Sequence, residues 1–248
     1  MMMNNLLIVY RKLSNQVYNL KFSPPADIVY NPLDYAWDGF AQYMRYSDGQ
    51  KRVVFLGMNP GPWGMTQTGV PFGEVEAVKN FLGITRINIT QPENAHALRP
   101  VQGIECKRSE VSGKRLWGLF REKFGTAENF FAGNFVLNYC PLLFSERTEK
   151  GSLRNITPDK LVQSERDAVC GLCDEALVQA IEILRPDFVV GVGAFAYNRA
   201  KSALERSPVK KRPKITKILH PSPANPQANH GWAAKTESKL ISEGVWSE

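Results

Sequence analysis

Four short apolar runs, each bounded by glycine, proline or charged residues, dominate the hydrophobic pattern of the chain. They occupy residues 53–58, 135–139, 188–192 and 215–219. Short runs of this kind, rich in β-branched and aromatic residues, are typical of strands buried on both faces of a parallel sheet. The pattern therefore predicts four buried parallel strands.

Segments with helical spacing of apolar residues lie between these strands. The predicted helices run from Asn31-Pro32 to Met44, over 161–184, over 194–204, and from Asn225-Pro226 to just before Gly244. The first begins with an N-cap residue followed by proline at the first helical position, a common helix start. Strands that alternate with helices predict an α/β fold, a three-layer α/β/α sandwich around a parallel sheet.

The length of 248 residues predicts one domain, with about 25 N-terminal residues as an appended helical segment. The longest apolar run, 188–197, is shorter than the ~20 residues that cross a bilayer. The apolar stretch at 6–10 is too short for a signal peptide. We therefore expect an intracellular protein with no membrane partner, in a bacterial cytoplasm or a eukaryotic nucleus.

The charge balance is basic, with 31 lysines and arginines against 24 acidic residues, a formal net charge of +7. Residues 207–221 contain five cations and no acid, and 99–123 contain seven cations against three glutamates. Clustered positive charge is typical of proteins that bind a phosphate backbone. From charge alone, a solvated basic surface explains the pattern equally well.

Four cysteines, Cys106, Cys140, Cys170 and Cys173, do not form the framework of a small disulfide-rich domain. Cys170 and Cys173 make a C-x-x-C pair that could hold zinc or an iron–sulfur cluster, but such a site needs two further ligands. Cys173 also falls on the apolar stripe of a predicted helix. The sequence favours structural thiols and leaves a metal site as the alternative.

Two loops rich in glycine and proline directly follow predicted strands, at 57–74 and 220–232. The first has five glycines and three prolines in eighteen residues, but matches neither a P-loop nor a G-x-G-x-x-G motif. The second begins with His220, one of three histidines, and Pro221 restricts the turn. Open α/β sheets place ligand sites at the carboxyl ends of their strands, so we expect the site there. A purely structural histidine remains the alternative.

The two loops resemble the signature motifs of the single-strand-selective monofunctional uracil-DNA glycosylases, a branch of the uracil-DNA glycosylase superfamily. They read GMNPGPWGMTQTGVPFGEV and HPSPANPQANHGW, and the likeness extends to YNPLDYAW, RSEVSGKRLWG, NYCPLLF and VVGVGAFA. It covers residue 29 to the C-terminus. The resemblance implies a four-stranded parallel sheet, no metal or cofactor, and DNA as the partner. We expect a monomer without an obligate protein partner.

The resemblance also implies roles for individual residues. Asn59 matches the residue that positions the attacking water, and His220 the histidine that hydrogen-bonds the pyrimidine O2. Asn138 matches the asparagine that distinguishes uracil from cytosine, and Phe72 the ring that stacks on the flipped base. The predicted base-binding set is completed by Met58, Gly61 and Met65. Taken singly, Asn59 and Asn138 are also ordinary turn and strand-end residues.

The same resemblance predicts a DNA-binding surface formed by the second loop and part of the basic segment. Its members are Pro221, Ser222, Pro223, Ala224, Asn225, Pro226, Arg108, Ser109, Lys114 and Arg115. Lys210 to Lys217 are expected to neutralise further phosphates. Ala224 departs from the arginine usual in vertebrate members, which predicts weaker handling of duplexes than of single strands. No lysine replaces a motif residue, so we expect no strand nicking.

The expected activity is removal of uracil and 5-hydroxymethyluracil from single- and double-stranded DNA, with thymine disfavoured. One alternative is a glycosylase for deaminated purines, xanthine or hypoxanthine, on the same scaffold. A second is a DNA-damage binding module with a weak or inactive site. A third, a nucleotide-binding regulator that uses Gly191 and Gly193, is disfavoured because no acidic partner follows at a strand end.

Overall fold

Residues 5–247 are described by a computed structural model. The strands are β1 (Ile28–Tyr30), β2 (Val53–Gly57), β3 (Asn134–Asn138), β4 (Leu143–Arg147), β5 (Leu153–Ile156), β6 (Phe188–Val192) and β7 (Lys214–Ile218). The α-helices are α1 (Asn5–Tyr18), α2 (Pro32–Tyr35), α3 (Trp37–Tyr43), α4 (Met65–Thr68), α5 (Val75–Asn80), α6 (Val111–Phe124), α7 (Ala127–Phe131), α8 (Gln163–Leu184), α9 (Ala194–Glu205) and α10 (Trp232–Ser242). Within this range no helix has the length and apolar character needed to cross a membrane.

The central sheet has the order β3-β2-β6-β7, and all of its strand pairs are parallel. β2 and β3 are buried along their whole length, which explains their uninterrupted apolar sequence. Helices surround the sheet, so the predicted α/β sandwich with four parallel strands is confirmed. Each of the four predicted strands is present with its boundaries shifted by at most one residue.

A second, antiparallel sheet of order β1-β4-β5 was not predicted. β1 has only three residues, β4 ends at the half-buried Glu146 and the exposed Arg147, and the two central residues of β5, Arg154 and Asn155, are exposed. Strands this short carry too little alternation to be recognised from their own sequence. The turn between β4 and β5 brings residues 155–157 to the carboxyl end of the central sheet.

Two predicted helices differ from the structure. The helix over Asn31 to Met44 is divided at Ala36 into α2 and α3. Its predicted start is correct, because the Asn31 side chain accepts a hydrogen bond from the Leu33 amide. The C-terminal helix begins at Trp232, and Asn225 instead caps a 3-10 turn at Pro226–Asn229. Proline cannot donate a backbone hydrogen bond, and the following glycine, Gly231, has a positive φ that separates the turn from α10.

The N-terminal helix α1 packs on the rest of the molecule through Leu6, Leu13 and Val17, all fully or nearly fully buried. These side chains belong to the same apolar core as the central sheet, and α1 lies against α8. The predicted appended segment is therefore helical from residue 5, and its first four residues lie outside the described range.

Three chain segments meet at the carboxyl end of the sheet. β2 ends at Gly57, β3 at Asn138 and β7 at Ile218. β6 lies between β2 and β7. The chain that follows β7 must therefore pass over the end of β6 to reach the segments that follow β2 and β3. Gly193 permits this because a side chain there would lie 3.1 Å from the His220 Cβ. The sheet thereby brings three predicted site segments together.

Candidate active site

A cleft of about 330 Å³ lies at this end of the sheet. The predicted site residues that line it are Met58, Asn59, Gly61, Phe72, Ser109, Asn138, His220, Ser222 and Pro223. The other lining residues are Pro60, Pro62, Trp63, Glu110, Val111, Ser112, Asn155, Ile156 and Thr157. The volume is at the small end of the range for small-molecule sites, which suits one flat ring.

Asn138 supplies an unsatisfied polar atom in this cleft. The residue is 5% exposed, and its Nδ2 donates to the Met65 sulfur at 3.2 Å. Its Oδ1 is buried and accepts no hydrogen bond. A buried polar atom without a partner costs about 1–3 kcal/mol. This cost is recovered if a ligand donates a hydrogen bond to Oδ1. Met65 lies behind Asn138 and is not among the residues that line the cleft.

Phe72 is held in a strained backbone conformation with φ of +52°. Bulky residues rarely adopt this conformation, and such strain is concentrated at functional sites. The Trp117 indole, on α6, donates a buried hydrogen bond to the Phe72 carbonyl at 3.1 Å. The Phe72 ring lies 6.3 Å from the His220 ring, with its edge against Gly57. The strained turn thus fixes an aromatic wall of the cleft.

Gly57 is required for this arrangement, and Gly57→Ala tests it. The added Cβ would lie 2.2 Å from the Asn138 Oδ1 and 2.5 Å from the Phe72 ring. Both side chains must then move, since neither distance is sterically permitted. We expect kcat/KM on a uracil-containing oligonucleotide to fall at least about tenfold, because a displacement of about 1 Å disrupts alignment. Gly118→Ala, where an added Cβ meets nothing within 4 Å, is the matched control and should retain activity. Unchanged kinetics in Gly57→Ala would contradict this geometry.

Asn59 is oriented by the chain that follows β3. Its Nδ2 donates to the Leu142 carbonyl at 3.1 Å, which leaves Oδ1 as the free polar atom of the amide. An amide oxygen accepts hydrogen bonds but cannot take up a proton at neutral pH. Asn59 can therefore orient a water molecule in the cleft without deprotonating it.

His220 is neutral at physiological pH, a point that its sequence context could not decide. Burial lowers the pKa of His220 to about 4. The Ser222 amide donates to Nδ1 at 3.1 Å, so Nδ1 carries no proton and Nε2 does. The sequence that follows His220 therefore sets its tautomer. The imidazole offers a single N–H donor.

Comparisons with known proteins identify the family of this chain. The family model for the uracil DNA glycosylase superfamily matches residues 44–240. The chain belongs to this superfamily. The single-strand selective monofunctional uracil DNA glycosylase of Bos taurus is 46% identical over 94% of this chain and 84% of its own length. Its Rattus norvegicus counterpart is 44% identical over 94% and 82% of the two chains.

A structural comparison gives the same fold. The crystal structure of wild-type Pedobacter heparinus SMUG2 aligns with a TM-score of 0.66 and 20% sequence identity. The alignment covers 96% of this chain and 99% of that one. The predicted family and fold are confirmed, and the chain is an enzyme of the monofunctional DNA glycosylase class.

In this glycosylase a side chain of α6 holds the loop after His220 in place. Arg115 donates to the Pro221 carbonyl at 2.8 Å and to the Asn229 Oδ1 at 3.1 Å. Asn225 caps the 3-10 turn that follows, and Ala224 is exposed at the tip between them. The predicted DNA-binding residue Arg115 therefore supports the loop from beneath, and both of these contacts are internal to the protein.

The other predicted DNA-binding residues of the glycosylase lie beside the cleft. The Arg108 guanidinium stacks on the Trp63 ring at 4.1 Å, and Arg99 approaches the same ring at 5.7 Å. Ser109 donates to Glu74 at 2.7 Å, whereas Lys114 is exposed. Arg108 and Lys114 thus present positive charge near the mouth of the site.

Part of the second basic stretch of the glycosylase faces elsewhere. Lys211 pairs with Asp187 at 2.5 Å and Lys214 with Glu243 at 3.0 Å. Asp187 precedes β6 and Lys214 begins β7, so these pairs lie at the amino end of the sheet, opposite the cleft. Lys211 and Lys214 are therefore poorly placed to make the phosphate contacts that were predicted for Lys210 to Lys217. All four cysteines are free and buried.

Sequence reasoning missed several residues that shape the glycosylase cleft. Gln67 is 1% exposed and binds the Pro62 and Pro100 carbonyls, both at 2.9 Å, which fixes the first loop. Asn155 and Thr157 reach the cleft through the unpredicted antiparallel sheet. Glu110 lines the cleft from the start of α6. No helix was predicted to follow Glu110, so the sequence gave no signal that its side chain faces the site.

Proposed function

We propose that this enzyme removes uracil from DNA by hydrolysing the N-glycosidic bond, leaving an abasic site. The observation that carries the proposal is the buried, unpartnered Oδ1 of Asn138 in a cleft walled by Phe72. Relatives with 44–46% identity are named uracil DNA glycosylases. The cleft admits only a base that has been flipped out of the helix.

Asn138 supports uracil as the base through its donor and acceptor. Uracil presents an N3–H donor for Oδ1 and an O4 acceptor for Nδ2. Cytosine reverses both groups and would leave two buried polar atoms unpaired. Such a mismatch is worth about 10⁴–10⁵ in discrimination at sites built for hydrogen bonding. Nδ2 has two N–H donors, so it can donate to O4 while the other donor remains on the Met65 sulfur.

The chemistry that fits these residues is led by the leaving group. As the bond between C1′ and N1 lengthens, negative charge accumulates on the pyrimidine, and the Nε2–H of neutral His220 donates to O2. Asn59 presents a water to C1′ through Oδ1 but cannot accept its proton. The sugar must therefore approach an oxocarbenium ion before water attacks. The electron pair of the broken bond leaves on N1 of uracil, and the proton lost by the attacking water passes to solvent or to the departing uracil anion.

The proposed substrate range includes 5-hydroxymethyluracil as well as uracil. Gly61 lines the cleft, and the Glu110 carboxyl group occupies the space that a Gly61 side chain would take, so a polar group lies at the wall proposed to face the C5 edge of the base. Both single- and double-stranded DNA are proposed substrates, with single strands favoured because exposed Ala224 cannot fill the space left by a flipped base. None of the described residues that line the cleft is a lysine, which supports hydrolysis without strand cleavage.

The test is a series of 5′-labelled oligonucleotides with uracil, 5-hydroxymethyluracil, thymine, cytosine, hypoxanthine or xanthine at one position. Each is treated single-stranded and duplexed, with and without hot alkali after the enzyme. We expect cleavage at uracil and 5-hydroxymethyluracil that depends on alkali, with thymine and cytosine intact. Cleavage only at a purine lesion would replace the proposal with purine excision. Tight binding without cleavage of any substrate would make the protein a damage-binding module.

A further inference from the structure

Glu110 directly precedes α6 and faces the active site. It occupies the N-cap position, but its side chain makes no capping hydrogen bond. The side chain instead lines the cleft together with Asn59, Phe72 and His220. An acidic side chain placed between the aromatic wall and the water-positioning loop has no role in the chemistry proposed above.

The Glu110 carboxyl group lies against the backbone of the loop that follows β2. A Cβ on Gly61 would be 1.7 Å from its Oε1, and a Cβ on Gly64 would be 2.1 Å from its Oε2. On the other side, a Cβ on Gly113 would lie 2.1 Å from the Phe72 carbonyl oxygen. Because these three positions are glycines, the start of α6 can pack closely against both walls of the cleft. Glu110 therefore contacts the wall that the proposed binding of uracil places at the C5 edge of the base.

The surroundings of this carboxyl group suit its neutral form. Its Oε2 is buried and has no hydrogen-bond partner, although the residue as a whole is half-buried. Burial is the largest cause that raises the pKa of Glu110 to about 7, and the negative charge of Glu74 at the start of α5 is the next. An interaction with the Gly113 backbone amide, too poorly aligned to count as a capping hydrogen bond, acts in the opposite direction.

Two cations lie nearby, Arg108 and the exposed Lys114 one helical turn after Glu110, but neither is among the groups that lower the pKa of Glu110. Residues 57–64 carry no titratable side chain, and His220 across the cleft is neutral. The adjacent Arg108 is stacked on Trp63. A carboxylate here would be a buried charge with too few donors.

We propose that Glu110 is a positioning residue that is active as the neutral acid. In this form it holds Gly61 and Gly64 at the C5 edge of the base, and its ionisation abolishes uracil excision. The inference rests on the proposed excision of uracil. Ionisation disturbs the reaction in two ways. The unsatisfied carboxylate is driven toward water and releases the loop, and its negative charge repels the charge that develops on the departing pyrimidine.

The decisive experiment measures kcat/KM on a uracil-containing single strand between about pH 6 and pH 9. The wild type should lose activity above about pH 7, approaching tenfold for each pH unit, because only the protonated form is competent. Glu110→Gln keeps the size and the neutrality of the side chain, so its kcat/KM should vary by less than about twofold over the range. Glu122→Gln, at an exposed position on the same helix, removes the same charge and should reproduce the wild-type profile.

Two further measurements separate positioning from general stability. Glu74→Gln removes the neighbouring like charge and should move the wild-type inflection to lower pH, because the pKa of Glu110 falls. Carbon NMR of the Glu110 carboxyl should show its titration at the pH of the kinetic inflection. If Glu110→Gln does not fold, these two measurements still decide whether ionisation of Glu110 controls the activity.

Distinct outcomes would overturn the proposal. Glu110→Gln could follow the wild-type pH profile, or the carboxyl could titrate near the usual glutamate value with no linked change in activity. A uniform loss of activity in Glu110→Gln at every pH would reduce the residue to a structural role. If no variant releases uracil, the proposed function has failed. The NMR titration then still reports whether Glu110 is held neutral.

Discussion

Replacing Asn59 with alanine should lower the single-turnover rate of uracil release by about 10²–10⁴-fold, the usual contribution of a group that positions or activates the attacking water. The reason is geometric. The Leu142 carbonyl fixes the Asn59 amide so that Oδ1 is free to accept a hydrogen bond from water. Affinity for a uracil-containing strand should remain within about twofold, because no phosphate contact is lost. Single-turnover kinetics and fluorescence anisotropy measure the two quantities.

Two variants make the Asn59 experiment specific. Asn59→Asp retains an acceptor oxygen and should recover much of the rate. Asn19→Ala, an exposed asparagine at the end of the N-terminal segment, makes the same substitution outside the cleft and should behave as the wild type. If Asn59→Ala weakens DNA binding by the same factor as the rate, Asn59 contributes to substrate affinity and does not orient water.

The central sheet was predictable because its strands are buried on both faces. Such strands need uninterrupted apolar sequence, as in β2, and their length is limited by the layers of helices. The loops after β2 and β7 were predictable for the same reason, since parallel strands bring their carboxyl ends together. The strand order therefore brings Asn59, Asn138 and His220 together, because each lies at the carboxyl end of its strand or in the loop that follows.

The second sheet and the divided helix were not predictable from local pattern. β4 pairs with β1 across more than 110 residues of sequence, so its stability comes from a partner that no local window contains. Ala36 separates α2 from α3 where Gly69 of the first loop packs on the Ala36 carbonyl, a contact of the tertiary structure. Local pattern predicts the elements that are stable by their own periodicity, and misses those that depend on distant contacts.

Side-chain direction limits prediction of the site in the same way. Glu110 and Ser109 both precede α6, yet only the structure shows that Glu110 enters the cleft while Ser109 bonds Glu74. The family resemblance predicted that Arg115 binds DNA, and the structure shows that its guanidinium donates to the Pro221 carbonyl within the protein. The protonation state of His220 likewise depends on burial and on the Ser222 amide, neither of which the sequence specifies.

Replacing His220 with leucine should lower kcat by about 10²–10³-fold with little change in KM, because the Nε2–H bond to O2 strengthens only as charge develops. The wild-type rate should rise by no more than about twofold as the pH falls from about 7 to about 5, the rise that protonation of Glu110 alone would give, since the pKa of about 4 keeps the imidazole neutral throughout. A mechanism that needed the imidazolium would instead accelerate about tenfold per pH unit over that range.

Protein stability gives an independent check on the neutral histidine. The unfolded chain binds a proton at His220 near pH 6.5, whereas the native state does so only near pH 4. Between these values the unfolded state binds more protons, so the free energy of unfolding should fall as the pH is lowered. In His220→Leu the free energy of unfolding should therefore depend less steeply on pH over this range. In His96→Leu, a substitution outside the cleft, the dependence should be the same as in the wild type. Equal slopes in the wild type and in His220→Leu would show that His220 titrates normally, and the neutral-donor route would then be wrong.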